Sequence, residues 1–436
     1  MLIRLFGRNF RSLKEDFELS MVAADLTRRE DCERGVIHVP ITGLREPLCL
    51  LRALAIYGSN ASGKSAIISA AKALSWLVKH SSKRTSPDDK IAPYEPFLLD
   101  DSTRTSPVIL GCDVVYENSV LTYEVEFCKH KIQTERLAVR EGSSESVLLD
   151  RNDSGEVTGQ LISRSKVNKL YVTDMQPNVT VLSKLAQHGP SRGKDSVRSF
   201  HKAIQRALNC VDYSDATRPR IFLGRGSRDE RFADDKSYRN WIMDHLIRRA
   251  DLGIDDVLVK REIMPVPPGL RELLEKDGDN ISPDRVVVSF IHQGLNPQAI
   301  EFEEESAGTR KLFNVAGDWW MLANEGGALF ADELSASIHP RLLMHMIRAV
   351  NSPPNDDIKS QLIFATHDTG LLESVDGEPP ALRRDQVYFT NKDANGATEL
   401  YSLTEFKEEA RPVHNIRKRY LSGFYDALPS VDETLL

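Results

Sequence analysis

The pattern of hydrophobic and polar positions is most distinct around residues 53–80. The apolar run ALAIY, from Ala53 to Tyr57, is typical of a buried strand, and the polar stretch GSNASGKS follows it directly. In the next stretch, SAIISAAKALSWLVKH, apolar residues recur at helical spacing, at Ile67, Ala71, Leu74 and Val78. The pattern therefore predicts a strand, a polar loop and a helix in direct succession.

Along the rest of the chain the pattern divides the sequence into three parts. Between residues 106 and 152 several short runs are separated by polar turns, and Tyr123, Val125 and Phe127 alternate with polar residues as in an antiparallel meander. Residues 170–262 show mainly amphipathic helical spacing, and strands alternate with helices again after about residue 283. We predict an α/β fold with an N-terminal lobe containing an antiparallel β subdomain (1–169), a helical insertion (170–262) and a C-terminal lobe (263–436).

The polar stretch after the first buried strand matches the pattern GxxxxGK[ST], and it lies in the strand–loop–helix context that this pattern requires. Backbone N–H groups of such a loop point at phosphate oxygens, and the following helix start adds partial positive charge. Lys64 would reach the outer phosphates, and the Ser65 hydroxyl would bind Mg²⁺. We therefore predict a nucleotide-binding loop formed by Gly58, Ser59, Asn60, Ala61, Ser62, Gly63, Lys64 and Ser65.

An acidic pair in the last third of the chain is a second candidate for phosphate chemistry. The predicted strand Ala328–Ala331 ends directly at Asp332 and Glu333. The carboxyl end of a buried strand is where an α/β sheet binds its ligands, so Asp332 would hold the metal and Glu333 would polarise the attacking water. Hydrophobic strands often end in a solvated acidic turn, and it is the phosphate loop that favours the catalytic interpretation.

Two further motifs are ambiguous when judged by spacing alone. The residues from Ser306 to Thr309 open a predicted helix, where free N–H groups and the helix dipole offer an anion site. The spacing by itself favours an ordinary capped helix. His367 follows the predicted strand SQLIFA, at the edge of a sheet where ligands bind, although it could equally cap the next helix.

The composition adds limits on location and partners. The 436 residues are 41% hydrophobic and 28% charged, which is ordinary for a globular protein. No apolar run approaches the roughly 20 residues that span a bilayer, and the start of the chain lacks the layout of a signal peptide. We expect a cytoplasmic protein with no membrane partner. The net charge of −7 argues against nucleic acid covering the whole surface.

Taken in order, these motifs resemble those of the ABC-type ATPase superfamily, particularly the SMC-like heads of soluble enzymes. GSNASGKS is similar to the Walker A motif, ESAGTRKLF to a variant signature motif and ALFADE to the Walker B motif. LSASIHP is similar to the D-loop, and ATHD to the segment that carries the switch histidine. The resemblance implies an α/β P-loop NTPase of the ABC/SMC-head type.

Four other segments narrow this resemblance. NFRSLKEDFELS, YEPFLL, VYFTNKDANGATELYSLTEF and NIRKRYLSGFYDALP are similar to segments of the stand-alone prokaryotic ATPases of phage-defence and abortive-infection loci. Such proteins include the RloA-like proteins and the ATPase of PARIS systems, which are cousins of the OLD-family ATPases. Members usually work with a separately encoded effector, often a nuclease or a toxin.

The resemblance implies roles for the residues that match the motifs of one subunit. The phosphate loop would bind ATP, and Ser65 with Asp332 would place Mg²⁺. Glu333 would be the catalytic base, and His367 would contact the γ-phosphate. Arg11, in the early FRS segment, is a further candidate for phosphate contact. The choice of ATP over GTP follows from the resemblance alone.

The same resemblance implies that one chain does not complete a catalytic site. Ser306, Gly308 and Thr309 would act in trans, on a nucleotide held mainly by a second subunit. The sequence departs from the common pattern in two places. The signature reads SAGT instead of LSGGQ, which disfavours a transporter subunit, and Glu95 stands near the place of the usual Q-loop glutamine.

We therefore expect an ATPase that forms an ATP-dependent dimer or larger homo-oligomer, and that senses infection and controls a separate effector. The alternative is an SMC-like DNA-repair or DNA-clamping ATPase, and a scaffold with slow or no turnover is a third class. For the DNA-binding alternative, the candidate phosphate contacts are basic residues in two clusters, Arg218, Arg220, Arg225, Arg228 and Arg231, and Arg417, Lys418 and Arg419. Solvated surface residues or internal ion pairs would explain both clusters as well.

Overall fold

The structure is a computed structural model that describes residues 1–25, 34–83, 86–188, 196–213, 230–250, 252–263, 284–294, 297–375, 377–406 and 415–428. The chain divides into two compact units. The first contains Met1–Asp212, Glu325–Ser335 and Met344–Leu436, and the second contains Tyr213–Asn324 and Ala336–Leu343.

The strands in chain order are β1 Leu2–Arg8, β2 Phe17–Ser20, β3 Val36–Val39, β4 Leu48–Leu51, β5 Ala53–Gly58, β6 Val108–Tyr116, β7 Ser119–Phe127, β8 Ile132–Glu141, β9 Ser144–Arg151, β10 Val157–Thr158, β11 Asn209–Asp212, β12 Ile254–Ile263, β13 Asp284–His292, β14 Ala299–Glu301, β15 Gly327–Asp332, β16 Ser360–Ala365, β17 Val387–Lys392 and β18 Thr398–Ser402. The α-helices are α1 Lys64–His80, α2 Gln160–Ser163, α3 Lys166–Thr173, α4 Val181–His188, α5 Val197–Ala207, α6 Glu230–Asp234, α7 Lys236–Ile242, α8 Ala307–Asn324, α9 Pro340–Asn351 and α10 Ile416–Leu421.

The central sheet of the first unit has the strand order β11-β15-β16-β5-β17-β18. All neighbouring pairs are parallel except β17 with β18. Strands β5 and β16 are buried along their whole length, as a parallel sheet with covered faces requires. Because the strands are parallel, the loops that follow β5, β15 and β16 all leave from the same edge.

A second sheet of the first unit is antiparallel, in the order β10-β9-β8-β7-β6-β1-β2. Tyr123, Val125 and Phe127 of β7 are fully buried, and the intervening Glu124 and Glu126 are partly exposed, so the predicted alternation is confirmed. Strands β3 and β4 pair as a separate two-stranded antiparallel sheet.

Helix α1 shares its core with both sheets. Its predicted apolar positions, Ile67, Ala71, Leu74 and Val78, are all fully buried. They belong to a cluster that also holds Leu110 of the antiparallel sheet and Phe330 of the parallel sheet. Burial of one such aliphatic side chain stabilises a fold by about 1.5–3 kcal/mol, so this helix anchors the loop that precedes it.

The second unit contains the antiparallel strands β12-β13-β14 and the helix α8. Its aromatic centre is Phe313 of α8, whose ring lies 5.0 Å from Phe232, 5.0 Å from Phe290 and 5.6 Å from Phe302. The contacts with Phe232 and Phe290 are edge-on, and such contacts add to the burial of the rings. The start of α8 is therefore carried by a core of its own unit.

The predicted fold class is confirmed. The two compact units have different boundaries from the predicted lobes and insertion, 1–169, 170–262 and 263–436. The segment 170–262 is divided between the units at Asp212, and it contains the strands β11 and β12 in addition to helices. Within the described part of the chain, no helix has both the length and the apolar character needed to cross a bilayer.

Candidate functional site

The phosphate loop joins the carboxyl end of β5 to the start of α1. Gly63 caps this helix at φ 110°, a left-handed conformation, and a Cβ there would come within 2.1 Å of the Thr398 hydroxyl. The same hydroxyl donates to the carbonyl of Ser62 at 2.9 Å, and the Ser62 hydroxyl lies 2.7 Å from that of Thr390. Residues on β17 and β18 therefore hold the loop in shape.

The Lys64 ammonium group folds back over this loop. Its Nζ donates to the carbonyl of Gly58 at 3.0 Å and to that of Ser59 at 2.8 Å, and the residue is only 8% exposed. The pKa of Lys64 is lowered because the side chain is buried, and the negative charges of Glu333 and Asp332 offset part of this effect. The lysine is thus satisfied by the loop carbonyls, within the electrostatic influence of both carboxylates.

The parallel sheet brings the other predicted residues to the same edge. The last registered pairs are Ala331 with Phe364, and Ala365 with Ile56. Asp332 and Glu333 follow β15, and His367 follows β16, the strand that separates β15 from β5. The order of the motifs along the chain does not predict which of them are neighbours in the sheet. The strand order places the histidine between the acidic pair and the phosphate loop.

Lys64 and Glu333 lie close enough to His367 to affect the pKa of its imidazole. Burial and the positive charge of Lys64 lower the pKa of His367, and the negative charge of Glu333 raises it. The imidazole is therefore biased toward its neutral form, in which one ring nitrogen accepts a hydrogen bond and the other donates.

Several motif residues adopt backbone conformations that non-glycine residues rarely occupy. Arg11 has φ 51°, Ala61 has φ 62°, Glu333 has φ 56° and Ser337 has φ 64°. Such conformations cost on the order of 1–3 kcal/mol each and are concentrated at functional sites. The strain coincides with the FRS segment, the phosphate loop, the acidic pair and the D-loop-like segment.

A cavity of about 500 Å³ lies beside the proposed metal ligands. Ser65, Asp332 and Arg11 line it together with Asp212. Asp212 ends β11 in direct register with Asp332, and sequence analysis missed it because β11 is only four residues long. Magnesium is usually held by one or two carboxylates together with substrate phosphates and water, so this donor set fits a Mg²⁺–nucleotide complex.

Arg11 and Glu95, two residues singled out separately, are partners. The Arg11 guanidinium forms an ion pair with the Glu95 carboxylate and donates to the Ser69 hydroxyl at 2.7 Å. The backbone N–H of Arg11 also donates to the Glu95 carbonyl at 2.7 Å. The structure thus brings Arg11 to the cavity that contains Ser65, with its charge balanced by Glu95.

The predicted signature residues form a helix start in the second unit. The Ser306 hydroxyl accepts a hydrogen bond from the Thr309 backbone at 3.1 Å and lies 2.9 Å from the Thr309 hydroxyl. Ser306 is exposed, and Thr309 is buried. A Cβ at Gly308 would meet the carbonyl of Ser337 at 3.1 Å, so the D-loop-like segment packs against the signature turn.

The basic clusters proposed for nucleic acid are partly engaged elsewhere. The Arg231 guanidinium lies 4.2 Å from the centre of the Trp320 ring, and Arg417 pairs with Glu373 at 2.7 Å. Arg218, Arg220, Arg225 and Arg228 lie outside the described residues.

A phosphate loop, an acidic strand end and a histidine on adjoining parallel strands are the arrangement of a P-loop NTPase domain. Residues 54–373 match the family described as "AAA domain, putative AbiEii toxin, Type IV TA system". The chain belongs to this family.

Solved structures resemble this chain only at low sequence identity. A comparison with curated proteins finds no match. The chain is similar to an SMC head domain from Thermotoga maritima, with 13% identity, a TM-score of 0.40, and coverage of 92% of this chain and 98% of that one. It is also similar to an Smc head domain with an extended coiled coil, bound to the C-terminal domain of ScpA derived from Pyrococcus furiosus. That similarity has 10% identity, a TM-score of 0.44, and coverage of 93% of this chain and 97% of that one.

Proposed function

We propose that the chain binds and hydrolyses ATP. The observation that carries this proposal is the meeting of Lys64, the Asp332–Glu333 pair and His367 at one edge of the parallel sheet. In-line attack of water on a γ-phosphate needs charge stabilisation, a held nucleophile and a metal, and these residues are of the types that meet those needs.

Each residue has a distinct part in this proposal. The loop N–H groups from Gly58 to Ser65 bind phosphate oxygens, and Lys64 exchanges its two carbonyl partners for the outer phosphates. Ser65 and Asp332 would hold Mg²⁺, which supplies charge neutralisation when bound. Glu333 orients and deprotonates the attacking water, and His367 donates to the γ-phosphate. Arg11 is a further phosphate contact once it leaves Glu95.

We further propose that two copies of the chain complete each other's sites. The exposed start of α8 at Ser306 presents the backbone N–H groups of a first helical turn and would contact the γ-phosphate held by a second subunit. The γ-phosphate would make contacts that exist only in the paired state, so hydrolysis would remove the preference for pairing. The chain would therefore form an ATP-dependent dimer or larger assembly.

The biological role that we propose is control of a separately encoded toxic effector in antiphage defence. The family description, which names a toxin of a toxin–antitoxin system, supports a role in such a system. Arg231 and Arg417 are engaged within the protein, so the described residues do not favour the DNA-clamping alternative.

The activity is tested with the purified chain and the Lys64→Ala variant, which removes the phosphate-binding ammonium group. We expect Mg²⁺-dependent ATP hydrolysis by the wild type, and nucleotide binding at least about tenfold weaker in the variant. Equal binding of ATP by both proteins would contradict the role given to Lys64. A preference for GTP would revise only the identity of the base.

The role is tested by co-purifying the chain with the products of adjacent genes, with and without ATP. We expect a partner whose retention changes with ATP in the wild type but not in Lys64→Ala. Growth arrest by this chain alone, without any neighbouring gene, would mean that the toxic activity resides in the chain itself.

A further inference from the structure

The short C-terminal helix α10 docks beside the phosphate loop of the first unit. Tyr420 of this helix is 5% exposed, and its ring lies 5.6 Å from that of Tyr57 and 5.7 Å from that of Phe389. Tyr57 directly precedes Gly58, the first residue of the phosphate loop. The helix is therefore packed against the strand end from which the loop begins.

Tyr57 also connects this packing to the histidine segment. Its hydroxyl donates to the backbone carbonyl of Asp368 at 2.9 Å, and Asp368 is the residue after His367. The Asp368 carboxylate in turn accepts from the backbone N–H of Gly370 at 2.8 Å, which begins the 3-10 turn Thr369–Leu372. Tyr57 thus holds the backbone of Asp368, the first residue after His367.

Arg417, one turn earlier in α10, holds the other end of the same segment. Its Nη1 lies 2.7 Å from the Glu373 carboxylate, and its Nε donates to the Thr369 hydroxyl at 3.1 Å. A guanidinium group can make both contacts at once because its donors are arranged in a rigid fork. One side chain therefore contacts both ends of the turn from Thr369 to Glu373.

The His367 ring has no comparable support of its own. In the portion of the chain that the structure describes, its ring nitrogens make no hydrogen bond. Its position is therefore set by the neighbouring backbone. Before His367, the backbone N–H of Thr366 donates to the carbonyl of Ile56 in β5. After it, the chain continues through Asp368 into the turn Thr369–Leu372.

We propose that Arg417 is a positioning residue for His367, acting through the turn Thr369–Leu372. This inference rests on the proposed hydrolysis of ATP, in which His367 contacts the γ-phosphate. A displacement of about 1 Å in a catalytic group can cost on the order of 100-fold in rate. The segment after His367 is supported by the hydrogen bond of Tyr57 and by the contacts of Arg417, so loss of the Arg417 contacts should reduce turnover measurably. Arg417 thereby has a different role from the nucleic-acid contact considered for its basic cluster.

The first test compares steady-state ATP hydrolysis by Arg417→Ala with that by the matched control Lys418→Ala. Lys418 is the exposed neighbour, and its replacement removes the same charge. We expect kcat to fall about tenfold in Arg417→Ala with little change in KM, and to stay unchanged in Lys418→Ala. The charge-swapped double variant Arg417→Glu with Glu373→Arg should recover part of the loss.

A double-mutant cycle separates positioning of His367 from a merely structural role. In a His367→Ala background, Arg417→Ala should have no further effect on kcat, because the group that it positions is gone. An equal loss of rate in both backgrounds would overturn the inference, as would wild-type turnover in Arg417→Ala. Reduced DNA affinity with unchanged turnover would also overturn it, in favour of a phosphate contact.

Amide hydrogen exchange on nucleotide-free protein keeps the test independent of ATP hydrolysis. Arg417→Ala and Glu373→Gln should each speed exchange in residues 366–375 and leave residues 53–66 unchanged. Unchanged exchange in residues 366–375 would contradict the inference even if the wild type did not hydrolyse ATP. Absence of hydrolysis in the wild type, with faster exchange in both variants, would instead count against the proposed function.

Discussion

The phosphate loop at Lys64 and the helix start at Ser306 both present backbone N–H groups suited to an anion, but their surroundings differ. Around Lys64, three strand ends of one unit contribute the loop, the Asp332–Glu333 pair and His367. Around Ser306, the described residues of the second unit supply a helix cap and the packing of Ser337 against Gly308. The first region has the residue types for phosphate chemistry, and the second has those of a binding surface.

Under the proposed pairing the two regions have different parts: the loop region would bind and hydrolyse the nucleotide, and the Ser306 region would close the site of a second copy. The loop region has a lysine, carboxylates and a neutral-biased histidine under each other's electrostatic influence. The Ser306 region has an exposed cap and, next to it, the buried carboxylate of Glu305 held by His292 at 2.6 Å. If the two regions serve one site across two copies, substitutions in them should differ in what they abolish.

The largest effect that we expect is on turnover, from Glu333→Gln. This change removes the base but keeps the size and hydrogen-bonding capacity of the side chain, so nucleotide binding should persist. Loss of a general base costs about 100-fold to 10,000-fold in rate. Single-turnover hydrolysis with a filter-binding assay for retained nucleotide measures both quantities. Turnover near that of the wild type would refute the role given to Glu333.

The next effect is expected from Ser306→Asp, which alters the other region. Aspartate caps a helix as well as serine does, so α8 should remain folded, but its carboxylate would repel a γ-phosphate from a second copy. We expect turnover and ATP-dependent pairing to be lost while nucleotide still binds to single chains. Ser306→Asn is the matched control, since it keeps a good cap without the charge. Equal loss in both variants would indicate a disturbed helix instead of repulsion.

A moderate effect on stability should follow from His292→Ala. Glu305 is buried, and removal of the imidazole would leave its carboxylate without this partner. We expect the free energy of unfolding to fall by about 1–3 kcal/mol. The His292→Gln variant should lose less, because its amide can still donate. Denaturant unfolding measures the change. Unaltered nucleotide binding by the His292→Ala variant would show that the effect is confined to the signature region.

The smallest effect that we expect is a shift in the titration of His367. Burial and the charge of Lys64 disfavour the protonated imidazole, and the charge of Glu333 favours it. Lys64→Ala should therefore raise the pKa of His367, and Glu333→Gln should lower it. NMR titration of the nucleotide-free protein, with the signal assigned from His367→Asn, tests both directions. An unchanged pKa of His367 in both variants would contradict the claim that Lys64 and Glu333 lie close enough to influence it.

The local part of this architecture could be predicted from the sequence. The strand Ala53–Gly58, the loop and the helix Lys64–His80 follow one another directly, and their pattern reflects short-range contacts and the burial of one helix face. The alternation around Tyr123 predicted β7 for the same reason. In both cases the residues that determine the element lie within it.

The features that sequence reasoning missed depend on contacts between distant parts of the chain. Strand β11 is four residues long and is defined by its pairing with β15, so Asp212 meets Asp332 only in the folded sheet. Arg11 and Glu95 are 84 positions apart, and Arg417 and Glu373 are 44 positions apart. Periodicity within a short window contains no information about such pairs.

The central claim, that each of two copies finishes the other's catalytic site, is tested most directly by mixing two inactive variants. Lys64→Ala has a defective loop with an intact Ser306 region, and Ser306→Asp has the reverse. A mixed dimer would contain one site built from the intact region of each chain, so random pairing should restore up to about a quarter of wild-type ATP hydrolysis. A mixture no more active than its two components measured separately would contradict the account.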